Sequence, residues 1–294
     1  MSVAGLLEEI VLRLSMRAHN GHPKGDLSHR PATFSVEKYD AWREESLKEQ
    51  FEEFFDWRQI EGKSVLDFGC GSGALSLLCA QKGAESVIGI DLAARLIARA
   101  NELPRDGLNL EFVLADRTDR IPLPDSWVDA ILCFDVLEHI MDYRAIVHEW
   151  SRILTPRGRV LVWWSVWWHP YGHHQHTMIP LPWVHALLSD ESMLRVCARI
   201  YDTPRFQPRI WHLDEQGQRK PNPYRGGSRF GDLNKLTIRE FDRVAAAEGL
   251  RAARKQINPF TGRLTGVKKI LARSPWPDFF CSSVVYELEK PPAS

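Results

Sequence analysis

The chain has 294 residues, 44% of them apolar, and its 38 Lys and Arg balance 38 Asp and Glu, so its formal net charge is zero. That balance excludes a protein drawn to polyanions by a global positive field, and the apolar share is enough for a sizeable core. The five cysteines, Cys70, Cys79, Cys133, Cys197 and Cys281, are odd in number and form no C-x-x-C pair, which argues against a disulfide framework or a zinc knuckle and for reduced thiols.

The opening residues, MSVAGLLEEIVLRLSMRAHN, break their apolar positions with Glu and Arg, unlike the unbroken apolar region of a signal peptide. The most apolar run, VLVWWSVWW, is about half of what a membrane-spanning helix needs. A cytoplasmic protein with no membrane association is therefore expected. Residues 1–60 are charged and helix-prone, and read as an N-terminal helical cap. From Ser64 short apolar runs alternate with amphipathic helical stretches: SVLDFG, ALSLLCAQKG, SVIGID, LAARLIARANEL, LEFVLAD, VDAILCFD, DYRAIVHEWSRIL and GRVLVWWS. This alternation is that of β-α-β units on a parallel sheet. Asp142 is placed to cap a helix whose buried face carries Ile146, Val147, Trp150, Ile153 and Leu154, and Pro156 with Gly158 stops it. Residues 168–235 are rich in Pro, Trp and Arg without a clean period, and read as an insertion. Thr237 and Glu240 then form a capping-box pattern, and CSSVVYELEK is a terminal strand. The expected architecture is an α/β, Rossmann-like, mostly parallel seven-stranded sheet with helices on both faces. Its parts are the cap (1–60), a core (61–167), a substrate-covering insertion (168–235) and the C-terminal part of the core sheet (236–294).

Between the first strand and the first helix of that core lies VLDFGCGSGA, residues 65–74. Gly69, Gly71 and Gly73 allow a tight backbone turn and close approach of a ligand at a helix N-terminus. The glycines alone fit both a dinucleotide and another nucleotide-like ligand, because Gly69, Gly71 and Ala74 also satisfy a loose G-x-G-x-x-A pattern.

With Asp67, Asp91, Asp116 and FDVLEHI (134–140) added in that order, the chain resembles the class I S-adenosylmethionine-dependent methyltransferases, specifically the branch of ubiquinone-biosynthesis O-methyltransferases and small-molecule enzymes. The resemblance covers residues 61–165 and implies roles by position. Asp67 would help hold the methionyl ammonium, with Gly69, Gly71 and Gly73 forming the cradle. Asp91, with Leu92 after it, would accept hydrogen bonds from the ribose hydroxyls, its two oxygens matching two donors. Asp116, with Arg117 beside it, would contact the adenine amine, and Phe134 and Asp135 would border the methionyl group. An NAD enzyme explains only the glycines and Asp91 and stays as the minor alternative.

The stretch WWSVWWHPYGHHQH, residues 163–176, begins inside the fifth strand and leaves it at the end where open α/β sheets bind ligands. Trp163 and Trp164 are expected in packing, whereas Trp167, Trp168, Tyr171 and Trp183 suit either packing or the wall of an apolar pocket. Methyl transfer to a hydroxyl needs alignment and a base of near-neutral pKa. The base is sought among His139, His169, His173, His174 and His176, with His139, His173 and His174 as first candidates. Asp135, Glu138 and His139 also form D-x-x-E-H, similar to the E-x-x-E-H that holds a divalent ion in some relatives, and His173 would complete such a set.

The acceptor is expected to be a small molecule. Arg205, Arg209, Arg219, Lys220, Arg225, Arg229, Arg251, Arg254, Lys255, Lys268 and Lys269 keep open an RNA substrate or an anionic metabolite. A catalytically silent cofactor-binding partner is a further alternative.

Overall fold

Five of the apolar runs between Ser64 and Trp164 become parallel strands in the computed structural model, which describes residues 2–21, 36–204, 206, 208, 212–214, 216–227, 233–260, 270 and 274–292. In chain order the elements are α1 (Val3–Gly21), α2 (Val36–Phe54), β1 (Ser64–Phe68), α3 (Ala74–Gln81), β2 (Ser86–Asp91), α4 (Ala94–Ala100), β3 (Leu110–Leu114) and β4 (Val128–Phe134). They continue with α5 (Tyr143–Ile153), β5 (Leu154–Trp164), α6 (Val184–Leu187), α7 (Asp190–Tyr201), α8 (Ile238–Ala247), β6 (Arg251–Pro259) and β7 (Cys281–Glu289). The seven strands lie in the order β3-β2-β1-β4-β5-β7-β6. The first five pair in parallel, and β7 runs antiparallel to β5 and β6. This is the expected Rossmann-like sheet.

Period-two alternation gives the sheet two buried faces. In β4, Ile131 and Cys133 join the core built with Ile146, Val147 and Trp150 of α5 and with Phe241 and Val244 of α8. Ala130, Leu132 and Phe134 join the opposite core, with Phe51 and Phe54 of α2 and Leu75 and Leu77 of α3. The same alternation sends the neighbours Trp163 and Trp164 to opposite faces, as packing residues. Trp164 lies 4.9 Å from the ring of Phe241 and 5.6 Å from that of Tyr286.

The local signals act as expected where they are strongest. Asp142 accepts from the Ala145 amide at 3.1 Å and starts α5. Thr237 accepts from the Glu240 amide at 3.2 Å, but only this half of the capping box forms. The Glu240 carboxylate instead accepts from the Tyr143 hydroxyl at 2.7 Å and from Arg144 at 2.5 Å. Strand β6 carries no apolar run by which a sequence would announce it. It is the sheet edge, and Arg251, Arg254 and Lys255 decorate it as edge strands usually require.

The chain divides into two compact units, one of residues 1–39 with 167–233 and one of residues 40–166 with 234–294. The cap expected over residues 1–60 is thereby split. From residue 40 onward α2 belongs with the sheet, because Leu47, Phe51 and Phe54 are buried in the core that holds Phe134. Helix α1 belongs with the insertion: Val11 and Leu12 pack among Met193, Val196, Cys197 and Ile200, and Glu8 pairs with Arg195 at 2.6 Å. Within that unit Trp167 is buried, 3% exposed, as a core residue. Among the described residues no helix is long and apolar enough to cross a membrane.

Phe51 is fully buried, with its ring 4.0 Å from Trp57 and 5.9 Å from Phe134. Phe51→Ala is expected to lower unfolding stability by about 3–5 kcal/mol, the usual cost of emptying an aromatic site. Urea denaturation followed by Trp fluorescence measures it, and a loss below ~1 kcal/mol would mean that α2 is not part of the sheet's core.

Candidate functional site

The site is built where β1 ends. The backbone turns through Gly69, Gly71 and Gly73, all at positive φ (78°, 56° and 84°), before α3 begins. A side chain at Gly69 would sit 2.5 Å from a methyl of Val136, so the turn and the loop after β4 touch only because that side chain is missing. At Gly71 nothing lies within 4 Å of the place a Cβ would occupy. The backbone there faces open space and is held left-handed, a cradle rather than a packed turn.

Asp91, the last residue of β2, fixes this cradle. One carboxylate oxygen accepts from the Gly71 amide at 2.9 Å and the other from the Ala93 amide at 2.8 Å. Each oxygen keeps a further acceptor position, and the half-buried carboxylate is locked in rotation. The Gly69 and Cys70 amides donate to the Ile90 carbonyl at 2.8 and 3.0 Å, so turn and strand move as one piece. Leu92, next to Asp91, is 54% exposed.

Asp67 lies in β1, in register with Gly89 of β2, and is 3% exposed. The Ser76 hydroxyl of α3 donates to it at 2.6 Å. Burial nevertheless raises its pKa to about 6, with the Asp91 charge adding to the rise and the Ser76 bond opposing it. A buried carboxylate held at this cost beside an open cradle is suited to receive a cationic group. The two carboxylates and the cradle therefore fit S-adenosylmethionine, whose methionyl end carries an ammonium beside its carboxylate and whose ribose offers two hydroxyls.

The other expected cofactor residues are placed less uniformly. Asp116 is exposed, two residues beyond the end of β3. Arg117 is turned to Asp119, with bonds of 2.9 and 2.7 Å, and these bonds, then its charge, lower the Asp119 pKa. Phe134 is 4% exposed, with its ring 5.9 Å from Phe51 and 5.5 Å from Phe55.

After β4 the chain passes through Asp135, at φ 60°, into a single 3-10 turn, Leu137–His139. Asp135 pairs with Arg43 of α2 at 3.0 Å. Glu138 is 3% exposed, and neither of its oxygens has a hydrogen-bond partner of normal geometry. Burial, and then the neighbouring Asp135 carboxylate, push its pKa well above the usual carboxylate range. His139 is exposed. The turn is pinned from behind by Asn234, which no sequence signal singled out. Its side-chain amide donates to the Leu137 carbonyl at 2.7 Å and the Ile140 carbonyl at 2.8 Å, and its backbone amide donates to the Glu138 carbonyl at 2.8 Å. Arg43 and Ser76 were likewise unmarked in the sequence, since a lone Arg on a charged helix and a Ser within an apolar one carry no pattern.

The remaining histidines lie in the other unit. His173 is fully buried and its Nδ1 accepts from the Gln175 amide at 3.0 Å, while His169 Nδ1 accepts from the Tyr171 amide at 3.2 Å. An imidazole that accepts at Nδ1 carries its proton on Nε2 when neutral. Burial, reinforced by the neighbouring histidines, lowers the pKa of His169 to about 3 and that of His173 well below the ordinary value. The rings of His173 and His185 are 5.1 Å apart, and His174 adopts φ 54°.

Of the expected divalent-ion set, Asp135 pairs with Arg43, Glu138 is buried and His139 exposed on the same turn, and His173 lies in the other unit with its Nδ1 accepting from the Gln175 amide. Among the described residues no group of three or more His, Cys, Asp or Glu side chains could hold a metal ion. The basic residues of the insertion and tail are mostly committed as well. Arg219 stacks 4.1 Å above the Tyr201 ring, and Arg225 pairs with Asp202 at 2.6 Å. Arg251 pairs with Glu289 at 3.0 Å, Lys255 with Asp242 at 2.5 Å, and Arg254 donates to the Phe54 carbonyl. Arg205, Arg209, Arg229, Lys268 and Lys269 lie outside the described residues.

Asp67 gives the site a pH signature. Its folded pKa, about 6, exceeds the ordinary value of 3.8. Below the ordinary value both states are protonated and nothing is lost; between the two values the unfolded chain ionises first, so stability falls as pH rises and then levels off. Asp67→Asn is therefore expected to raise the unfolding free energy by roughly 1–3 kcal/mol at pH 8, and by much less at pH 4. Denaturation at the two pH values checks this, and an equal effect at both would rule out the buried-carboxylate account.

Residues 66–162 match the family described as a methyltransferase domain. The ubiquinone biosynthesis O-methyltransferase of Erwinia tasmaniensis is 36% identical over 104 residues, 34% of this chain and 41% of the relative. Its counterpart from Xylella fastidiosa is 39% identical over 105 residues, 35% of this chain and 42% of the relative. The matched stretch thus spans less than half the length of these curated relatives. Among solved structures the cyclase SpnF is similar with a TM-score of 0.52 and 15% identity, over 99% of this chain and 96% of that one, a likeness of fold alone.

Proposed function

Residues 66–162 form a class I S-adenosylmethionine-dependent methyltransferase domain, and from that premise we propose that the chain transfers a methyl group to a hydroxyl of a small molecule. The observation that carries the reading is the Asp91 carboxylate, locked by the Gly71 and Ala93 amides beside an open glycine cradle. Asp91 would hold the ribose, Leu92 would lie against the nucleoside, Asp67 would hold the ammonium, and Asp116 with Arg117 would border the base. Gly69, Gly71 and Gly73 would let the chain come close to the methionyl end, with Phe134 packed behind it.

When bound, the cofactor supplies an activated methyl group on a positively charged sulfur. The chain's own task is then to bind the acceptor in line, exclude water and take up one proton. His139 is our candidate for that proton: it is exposed, and it sits on the turn that Asn234 pins to the end of β4. His173 is less suited to be a base, because its Nδ1 lone pair is used and its Nε2 holds the proton. His174 is the second candidate. The RNA alternative loses support because five of the basic residues it would need are turned to partners within the chain.

Two outcomes follow for a purified enzyme assayed with catechol-type and other hydroxylated acceptors. His139→Ala is expected to lower kcat by about 10²–10³-fold with little change in cofactor affinity, the scale of general-base catalysis. Turnover is expected to persist in excess chelator. Loss of activity on chelation with restoration by Mg²⁺, together with full activity of the His139 variant, would replace the histidine base by a metal.

A further inference from the structure

The sheet of the second unit has a second concavity at the end opposite the glycine cradle. It is a cleft of about 660 Å³ at the amino ends of β1, β4 and β5, within the size range of small-molecule sites. Four cations line it, Arg58, Lys63, Arg157 and Arg159, against two carboxylates, Asp56 and Asp129. Asp56 is neutralised by Arg58, whereas Asp129 keeps its charge and accepts from neutral donors. Asp129 accepts from the Ser64 amide at 3.1 Å and from the Thr155 hydroxyl at 2.9 Å, and Asp56 is clasped by Arg58 while capping its own turn. Arg159 pairs with Glu287 at 2.5 Å. Lys63 and Arg157 also line the cleft and are left without a carboxylate partner among the described residues.

Arg157 is held there in an unfavourable conformation. It follows Pro156 in the irregular first part of β5 with φ 68°, in the left-handed region that favours glycine or asparagine. The next residue must be glycine, since a Cβ at Gly158 would lie 2.8 Å from the Thr155 carbonyl oxygen. The Arg157 amide is also tied to the Lys290 carbonyl at 3.0 Å. A bulky cationic residue kept in a strained position at the rim of a positively charged cleft is an outlier that points to a role for its charge.

We propose that this cleft binds a small oligophosphate-bearing molecule, with Lys63 and Arg157 taking the phosphate oxygens. The site is distinct from the glycine cradle, which lies at the carboxyl ends of the same parallel strands.

The test is isothermal titration of the whole chain with inorganic pyrophosphate, for the wild type and for Arg157→Gly, Lys63→Ala and the double variant. Each single substitution is expected to weaken binding about three- to tenfold, and the pair together more than tenfold, the scale of charge-assisted bonds at an exposed rim. Arg157→Gly relieves the strained φ, so its thermal midpoint is expected to be no lower than that of the wild type. The same variants are expected to bind S-adenosylhomocysteine with unchanged affinity, which separates this site from the cradle. Absence of pyrophosphate binding at millimolar concentration, or equal affinity in the double variant, would overturn the proposal. Binding at the cleft only of a long polyanion such as poly(U) would overturn it too.

Discussion

The structure of the candidate site hangs on one constraint: the chain leaving β1 must turn back into α3 while staying attached to the end of β2. The Gly69 and Cys70 amides reach the Ile90 carbonyl, and the Asp91 carboxylate reaches the Gly71 amide. These bonds are short-range in space but join segments about twenty residues apart, so they form only after β1 and β2 have paired. Once they form, two acidic groups of opposite character stand beside one cradle. Asp91 is half-buried and held by two amides, whereas Asp67 is buried and held by one hydroxyl, with its pKa raised to about 6. Uneven solvation of two nearby carboxylates is a way to give them different tasks.

The second dependence runs through β4. Its seven residues are almost all buried, and it feeds the turn whose Gly69-facing residue, Val136, closes the other wall of the cradle. That turn has few hydrogen bonds of its own, and Asn234, Arg43 and the α2 aromatics supply its support. Each comes from a different part of the sequence, so a substitution far from the cradle can alter its geometry. The insertion is organised separately around α1 and α7, with the His169 and His173 rings inside it accepting backbone amides at Nδ1.

Much of this was legible in the chain because the central strands are apolar on both faces and the helices between them carry one apolar stripe. SVLDFG, SVIGID and VDAILCFD declare themselves by hydrophobicity, and Asp142 by its position before a periodic run. What stayed hidden follows physical rules as well. Strand β6 is an edge, so it is charged where an interior strand would be apolar. The boundary near residue 40 was invisible because α2 mixes many Glu and Lys with the few aromatics that reach the core. Asn234, Ser76 and Arg43 act through single long-range hydrogen bonds or ion pairs, and a single residue leaves no period to read. The histidine cluster was visible as composition, but which ring nitrogens hold protons depends on the amides of Tyr171 and Gln175, which only the folded chain brings to them.

In the proposed function Asp91 is the clamp on the cofactor's ribose. Calorimetric titration of the folded Asp91→Ala variant with S-adenosylmethionine tests it most directly. The expected result is a loss of about 1.5–3 kcal/mol in binding free energy, the scale for hydrogen bonds to a charged group. Unchanged affinity in a variant with native circular dichroism, or tight binding of NAD by the wild type in place of S-adenosylmethionine, would contradict it.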